Sequence, residues 1–132
     1  MNLSKSRWTT VNHRGDSRSC LTTLRGRYTR GARERNLVFE LTNKQFRELT
    51  KENCWYCGIR PAQICRNTGK QSKKNPDAYY LYNGIDRVDN TIGYTEVNCI
   101  SCCGRCNRMK GTLHAEDFII HIRKLARNMN IF

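Results

Sequence analysis

The chain is short of acidic side chains, with 11 Asp and Glu against 24 Lys and Arg, and so cannot balance its own positive charge. The resulting formal charge of +13 on 132 residues excludes a self-compensated surface and sets up a field that attracts polyanions. Apolar residues are also scarce, at 38%, and no run of them approaches the roughly 20 residues of a membrane-spanning helix. The N-terminus lacks the apolar stretch that opens a secretory signal. These absences predict an intracellular protein, with no membrane role, whose partner is nucleic acid. They also leave a thin core for one small domain, which buries only about two thirds of the surface its unfolded chain exposes. A crosslink or a structural metal is expected to make up the difference.

What the chain does have is cysteine. Eight are present, and six of them form Cys-x-x-Cys pairs at Cys54/Cys57, Cys99/Cys102 and Cys103/Cys106. In a chain without an export signal such pairs read as thiolate clamps for zinc rather than as a disulfide framework. A structural zinc ion takes four such ligands in a tetrahedron, and two turns far apart in sequence can supply them while tying a small fold together. Cys54, Cys57, Cys103 and Cys106, with 45 residues between the two turns, fit best. Cys99/Cys102 has the same spacing, so spacing alone leaves Cys102 and Cys103 in competition; the helix expected to begin at Cys103 favours the latter. Cys20, Cys65, Cys99 and Cys102 are then free thiols, several of them acting as small buried hydrophobes. Zinc bound in this way contributes on the order of 10 kcal/mol to folding.

Three stretches are expected: a basic arm over 1–20, a basic helical segment over 21–53 and a zinc-bound core with a C-terminal helix over 54–132. Arg25, Arg27, Arg30, Arg33 and Arg35 crowd around Tyr28, a density that favours contact with a phosphate backbone. Gly26 and Gly31 weaken the case for one unbroken helix there. Thr42 and Gln45 have capping-box spacing, and Leu41 and Phe46 have that of a hydrophobic staple, so a helix starts at Thr42 and ends near Asn53. Residues 66–77 are polar, basic and turn-rich and read as an exposed loop. Tyr79–Tyr82 and Ile85–Val88 read as extended, broken at Asn83-Gly84, with Asn98–Ser101 as a short partner strand. A helix over Cys103–Lys110 stops at Gly111. In a last helix, from about Ala115 to Asn128, Phe118, Ile119, Ile122, Leu125, Ala126 and Met129 recur at helical spacing, a stripe assigned to core packing.

The stretch GIDRVDNTIGYTEVNCISCCGRCNRMKG, residues 84–111, together with the CWYCG knuckle at 54–58, resembles the ββα-metal core of HNH endonucleases. It is most similar to the phage-type, endonuclease VII-like branch, in which one Cys pair precedes two strands and the other opens a helix. The resemblance implies an α+β fold, a small zinc-stabilised HNH (His-Me finger) core with flanking helices. It implies that Asp86 and Asn107 bind a catalytic Mg²⁺ or Mn²⁺, that Asn98 braces the loop between the strands, and that the product ends are 5′-phosphate and 3′-hydroxyl. A hard carboxylate and a neutral amide oxygen suit that ion and leave positions open for water and phosphate.

Where most members carry Asp-His, with His as general base, this chain has Asp86-Arg87. Arginine cannot accept a proton near neutral pH, but it can clamp a phosphate and stabilise transition-state charge. The base therefore stays open among His114, His121, Asp89 and a metal-bound water acting alone, with Tyr28 or Tyr94 as a nucleophile if deprotonated. The expected function is metal-dependent hydrolysis of double-stranded DNA. The alternative is a non-catalytic zinc module that binds nucleic acid through a degenerate HNH site. Specificity is not legible, and a homodimer is among the assemblies left open.

Overall fold

A computed structural model describes residues 15–131. Most of the arm expected over 1–20 lies outside them. The rest belongs to the fold, because Ser17 accepts a hydrogen bond from the Cys20 amide and caps helix α1, Arg18–Glu34. This helix runs unbroken through Gly26 and Gly31. The residues Cys20, Leu24, Tyr28 and Ala32 fall four apart on its inner face, and burying that stripe outweighs the propensity lost at two glycines. Helix α2, Asn43–Lys51, begins with a complete capping box between Thr42 and Gln45. Leu41 and Phe46 are both buried beside it, and the helix ends two residues earlier than expected.

Four short strands follow, in two antiparallel pairs. Strand β1, Gln63–Arg66, pairs with β2, Tyr79–Tyr82, with Gln63 opposite Tyr82 and Arg66 opposite Tyr79. The polar stretch between them is not all loop, since Gly69–Lys74 forms a short helix, α3. Asn67 is buried there and exchanges hydrogen bonds with Ser19 and Thr23, which fastens this hairpin to α1. Strand β3, Gly84–Arg87, pairs with β4, Cys99–Cys102, with Asp86 opposite Ile100. Asn98, expected in the partner strand, instead ends a 3-10 turn over Glu96–Asn98. Gly84 permits a close approach, because a Cβ there would lie 2.9 Å from the Tyr28 hydroxyl. That hydroxyl accepts from the Ile85 amide at 3.1 Å and so joins α1 to β3.

The main core lies between α1, α2 and the strands. Tyr28, Phe39, Phe46 and Tyr94 form its aromatic centre, with neighbouring ring centroids 5.4 to 6.2 Å apart. A smaller apolar cluster gathers around Cys54, Cys102, Cys103 and Cys106 with Tyr56. Helix α4, Gly104–Lys110, rests on this second cluster and stops at Gly111, whose φ of 57° suits glycine. Helix α5, Ala115–Met129, departs from expectation. Only Ala115 and Phe118 are buried, so the apolar stripe is not core. The helix is fastened at its N-terminal end, where the Ala115 amide bonds the Val88 carbonyl and Phe118 packs edge-on against Tyr56. Beyond Phe118 it outruns the small body that anchors it. Among the described residues no helix is long and apolar enough to cross a membrane.

Removing the Phe46 ring should cost about 3–5 kcal/mol, and Thr42→Ala about 1 kcal/mol. Urea unfolding of the metal-loaded protein measures both, and a larger effect at Thr42 than at Phe46 would contradict this account of the core.

Candidate metal centre

The Sγ atoms of Cys54, Cys57, Cys103 and Cys106 all lie within 4.8 Å of one another. Those of Cys57 and Cys103 are 3.7 Å apart. Sulphurs placed tetrahedrally around zinc are separated by about 3.8 Å, so the donor set fits that ion. Cys102 is buried beside the cluster, but its thiol turns onto the Cys103 carbonyl and stands outside the four. Burial opposes ionisation of Cys54, yet backbone N–H groups of Cys103, Cys57 and Tyr56 bring its thiol down to about 6. Burial and the thiols of Cys103, Cys57 and Cys54 push Cys106 up. Four sulphurs at this range ionise together only around a cation.

Local hydrogen bonds build the first turn. The Cys54 amide bonds the Ile59 carbonyl, the Gly58 amide bonds the Cys54 carbonyl, and the Trp55 amide reaches across to the Ser101 carbonyl. The second turn uses one cysteine twice. Cys103 is the N-cap of α4, and its sulphur accepts from the Cys106 amide at 3.4 Å. The cluster therefore fixes the start of the helix that carries Asn107 and Lys110.

Lys110 and Asp86 meet in the interior. Lys110 Nζ lies 3.1 Å from Asp86 Oδ1 and donates at 3.1 Å to the Arg87 carbonyl. Residue exposures of 1% and 3% make this a buried ion pair. Asp86 Oδ2 accepts from the Tyr56 hydroxyl at 2.9 Å. Burial, followed by the adjacent carboxylate, raises the Tyr56 phenol well above its usual value, so it stays a donor. Each carboxylate oxygen retains a further lone pair. Asn107 is exposed one turn before Lys110, and residues three apart share a helix face. Sequence reasoning assigned no role to Lys110 or Tyr56. Their signals were a lysine three residues after Asn107 and a tyrosine inside the first Cys-x-x-Cys.

The remaining site residues fall in several places. Asn98 is buried and laces the β3–β4 connection, accepting from the Asp89 amide and donating to the carbonyls of Asp89, Ile92 and Gly93. Arg87 Nη1 donates to the carbonyls of Asn90 and Ile92, and its guanidinium lies 5.4 Å from the Tyr94 ring centre. Asp89 accepts from the Thr91 hydroxyl and amide, which hold its carboxyl below the usual range and weaken it as a base. Burial raises the Tyr28 phenol, so it too stays protonated. The Tyr94 hydroxyl accepts from Arg35. His114 caps α5 by accepting from the Glu116 amide, and His121 is exposed on that helix.

The five arginines divide. Arg25 bonds the Leu41 carbonyl and stacks over Phe39, while Arg35 serves Gly31 and Tyr94. Arg27, which touches the Cys65 sulphur, Arg30 and Arg33 are exposed three residues apart along one side of α1.

No protein-family model matches the chain. An uncharacterised protein of Acanthamoeba polyphaga mimivirus is 37% identical over 100 residues, which are 76% of this chain and 16% of that protein. The chain therefore spans about a sixth of that relative's length. Among solved structures, the rare-cutting HNH restriction endonuclease PacI superimposes with a TM-score of 0.55 at 19% identity, covering 95% of this chain and 90% of PacI. The fold is thus of the HNH endonuclease type, a mixed arrangement of helices and small sheets around a four-cysteine cluster that could hold zinc.

Chelation should unfold the domain, read as loss of helical circular dichroism. Zinc analysis should find one ion per chain, lost in Cys103→Ser and kept in Cys102→Ser. Lys110→Met leaves a buried carboxylate unpaired and should cost about 3–5 kcal/mol; an unchanged urea midpoint would rule out that pairing.

Proposed function

Starting from this HNH-type fold, we propose that the protein is a metal-dependent endonuclease that nicks or cleaves double-stranded DNA, with zinc as its structural ion. One observation carries the reading: Asp86 is held on β3 by Tyr56 and Lys110, against the cysteine-anchored helix that presents Asn107. The donor set suits a hard cation, since Asp86 and Asn107 offer an anionic and a neutral oxygen. Bound by that pair, Mg²⁺ or Mn²⁺ would neutralise charge on the scissile phosphate and on the leaving 3′ oxygen.

The chain's own residues do the positioning. Lys110 and Tyr56 fix the carboxylate through one contact on each oxygen and balance its charge in the interior. Asn98 fixes the loop that follows Asp86. Arg87 holds the same loop through Nη1 and offers its other N–H groups to a phosphate oxygen. Arg27, Arg30 and Arg33 meet the DNA backbone away from the cut, while Arg25 and Arg35 are engaged with the protein's own carbonyls and rings.

A second reading has its own support. Both oxygens of Asp86 already have partners, one of them a cation, and Arg87 stands where a base is usual. A non-catalytic nucleic-acid module with this fold would look the same.

Plasmid nicking with Mg²⁺ and with Mn²⁺ separates the two. Asp86→Ala and Asn107→Ala should each lower the rate about a hundredfold or more. Salt-sensitive binding without cleavage in any divalent metal would replace the nuclease with the binding module. Arg30→Ala with Arg33→Ala should weaken binding across sequences and reduce the slope of log affinity against log salt by about 2.

A further inference from the structure

A cleft of about 560 Å³ opens between α1 and the N-terminal half of α2. Arg18, Leu21, Thr22 and Arg25 line it from α1, at a spacing of three, one and three that sets all four on one helix face. Asn43 and Arg47, four apart, line it from α2. None of Arg27, Arg30 and Arg33 takes part, and the cleft shares no residue with the cysteine cluster or with the group around Asp86. Its size falls within the roughly 300–1,000 Å³ of small-molecule sites.

Three guanidinium groups and no carboxylate line this space. The acidic residues next to it in the chain are each bound to a lysine, Asp16 at 2.6 Å from Lys51 and Glu48 at 3.8 Å from Lys44. Helix α1 has no acidic residue before Glu34. Arg25 is held in place, since Nη2 donates to the Leu41 carbonyl at 2.9 Å and the guanidinium lies 5.1 Å from the centre of the Phe39 ring. Its Nε is buried without a hydrogen-bond partner. Arg18 and Arg47 also have partners within the chain, so the walls of the cleft are tethered. A guanidinium has five N–H donors in a planar fork, and a protein partner on one edge leaves another edge for an oxyanion.

Gly26 completes the site. It lies among the lining residues, and a Cβ there would meet nothing within 4 Å. Glycine inside a helix costs propensity, but here it keeps the floor of the cleft at the level of the backbone. An anion can settle low between the arginines of the two helices.

We propose that this cleft is a phosphate-binding site, in which Arg18, Arg25 and Arg47 hold the group and Thr22 and Asn43 add neutral donors. Planar forks match a phosphate in charge and in paired hydrogen bonds. The group belongs to a free phosphate compound or to a nucleic-acid strand, which present the same oxygens. The site goes beyond the nuclease reading and holds whether or not Asp86 supports cleavage.

Titration of the full, zinc-loaded chain with inorganic phosphate in chloride buffer of constant ionic strength tests this, read from the amide NMR signals of Gly26 and Asn43. Both should move in one saturable event with a dissociation constant on the order of 1 mM. Gly26→Glu puts a carboxylate where the anion sits and should weaken binding about tenfold or more, whereas Gly26→Ala should keep it. Gln71→Glu makes the same charge change at an exposed position on α3 and should shift the constant by less than about twofold. Arg18→Gln should weaken binding about fivefold with an unchanged circular dichroism spectrum. A short DNA duplex that expels the phosphate identifies a strand phosphate as the occupant, and phosphate retained beside the duplex identifies a free compound; both keep the site. Shifts that never saturate overturn it. So does equal weakening by Gly26→Glu and Gln71→Glu, which would leave a diffuse positive field and no site.

Discussion

Holding four sulphur atoms within 4.8 Å of one another requires two turns, 45 residues apart in the chain, to face each other. The first of those turns hangs on the end of α2 and the second opens α4, so meeting that requirement brings both helices to the β3–β4 pair. Tyr56 comes with the first turn and Lys110 with the helix behind the second. Asp86 lies on the strand between them and accepts from one on each oxygen. Its position therefore follows from the cysteine cluster through Tyr56 and Lys110.

The interior of the site is electrostatic where the rest of the core is aromatic. A fully buried lysine and carboxylate cost desolvation energy that their mutual attraction recovers only with good geometry and further hydrogen bonds. Both further bonds are present, from Tyr56 to Asp86 and from Lys110 to the Arg87 carbonyl. A hydrophobic pair would be a simpler core. The charged pair instead keeps the Asp86 carboxylate at a fixed place against the helix on which Asn107 is exposed. The aromatic core of Tyr28, Phe39, Phe46 and Tyr94 supplies the rigidity behind it, with the Tyr28 hydroxyl bonded to the first amide of β3 after Gly84.

Features written locally could be read in advance. The Thr42–Gln45 box, the cysteine spacing and the Gly111 stop each depend on residues within a turn or two. Strand β1 could not, since Gln63–Arg66 is four residues without alternation, and its pairing with β2 is decided by Tyr80 packing into the core. The continuity of α1 through Gly26 and Gly31 was likewise settled by burial from outside the helix. On α5 the periodicity correctly announced an apolar face, but periodicity carries no information about what that face meets. Lys110 and Asp86 lie 24 positions apart in the chain, and only the folded chain shows that they pair. The residues proposed for catalysis were read from resemblance and spacing, whereas the two side chains that hold Asp86 became visible only in three dimensions.

The four corners of the cysteine cluster are not equivalent. Cys54, Cys103 and Cys106 are buried, and the Cys103 sulphur also accepts an amide hydrogen bond as the cap of α4. Cys57 alone among them is exposed. Reagents in water act first on a sulphur they can reach, so an oxidant or a competing thiol meets the centre first at Cys57. Loss of that sulphur from the cluster would loosen the knuckle that carries Tyr56, and with it one of the two contacts that hold Asp86. The protein would age from this corner inward.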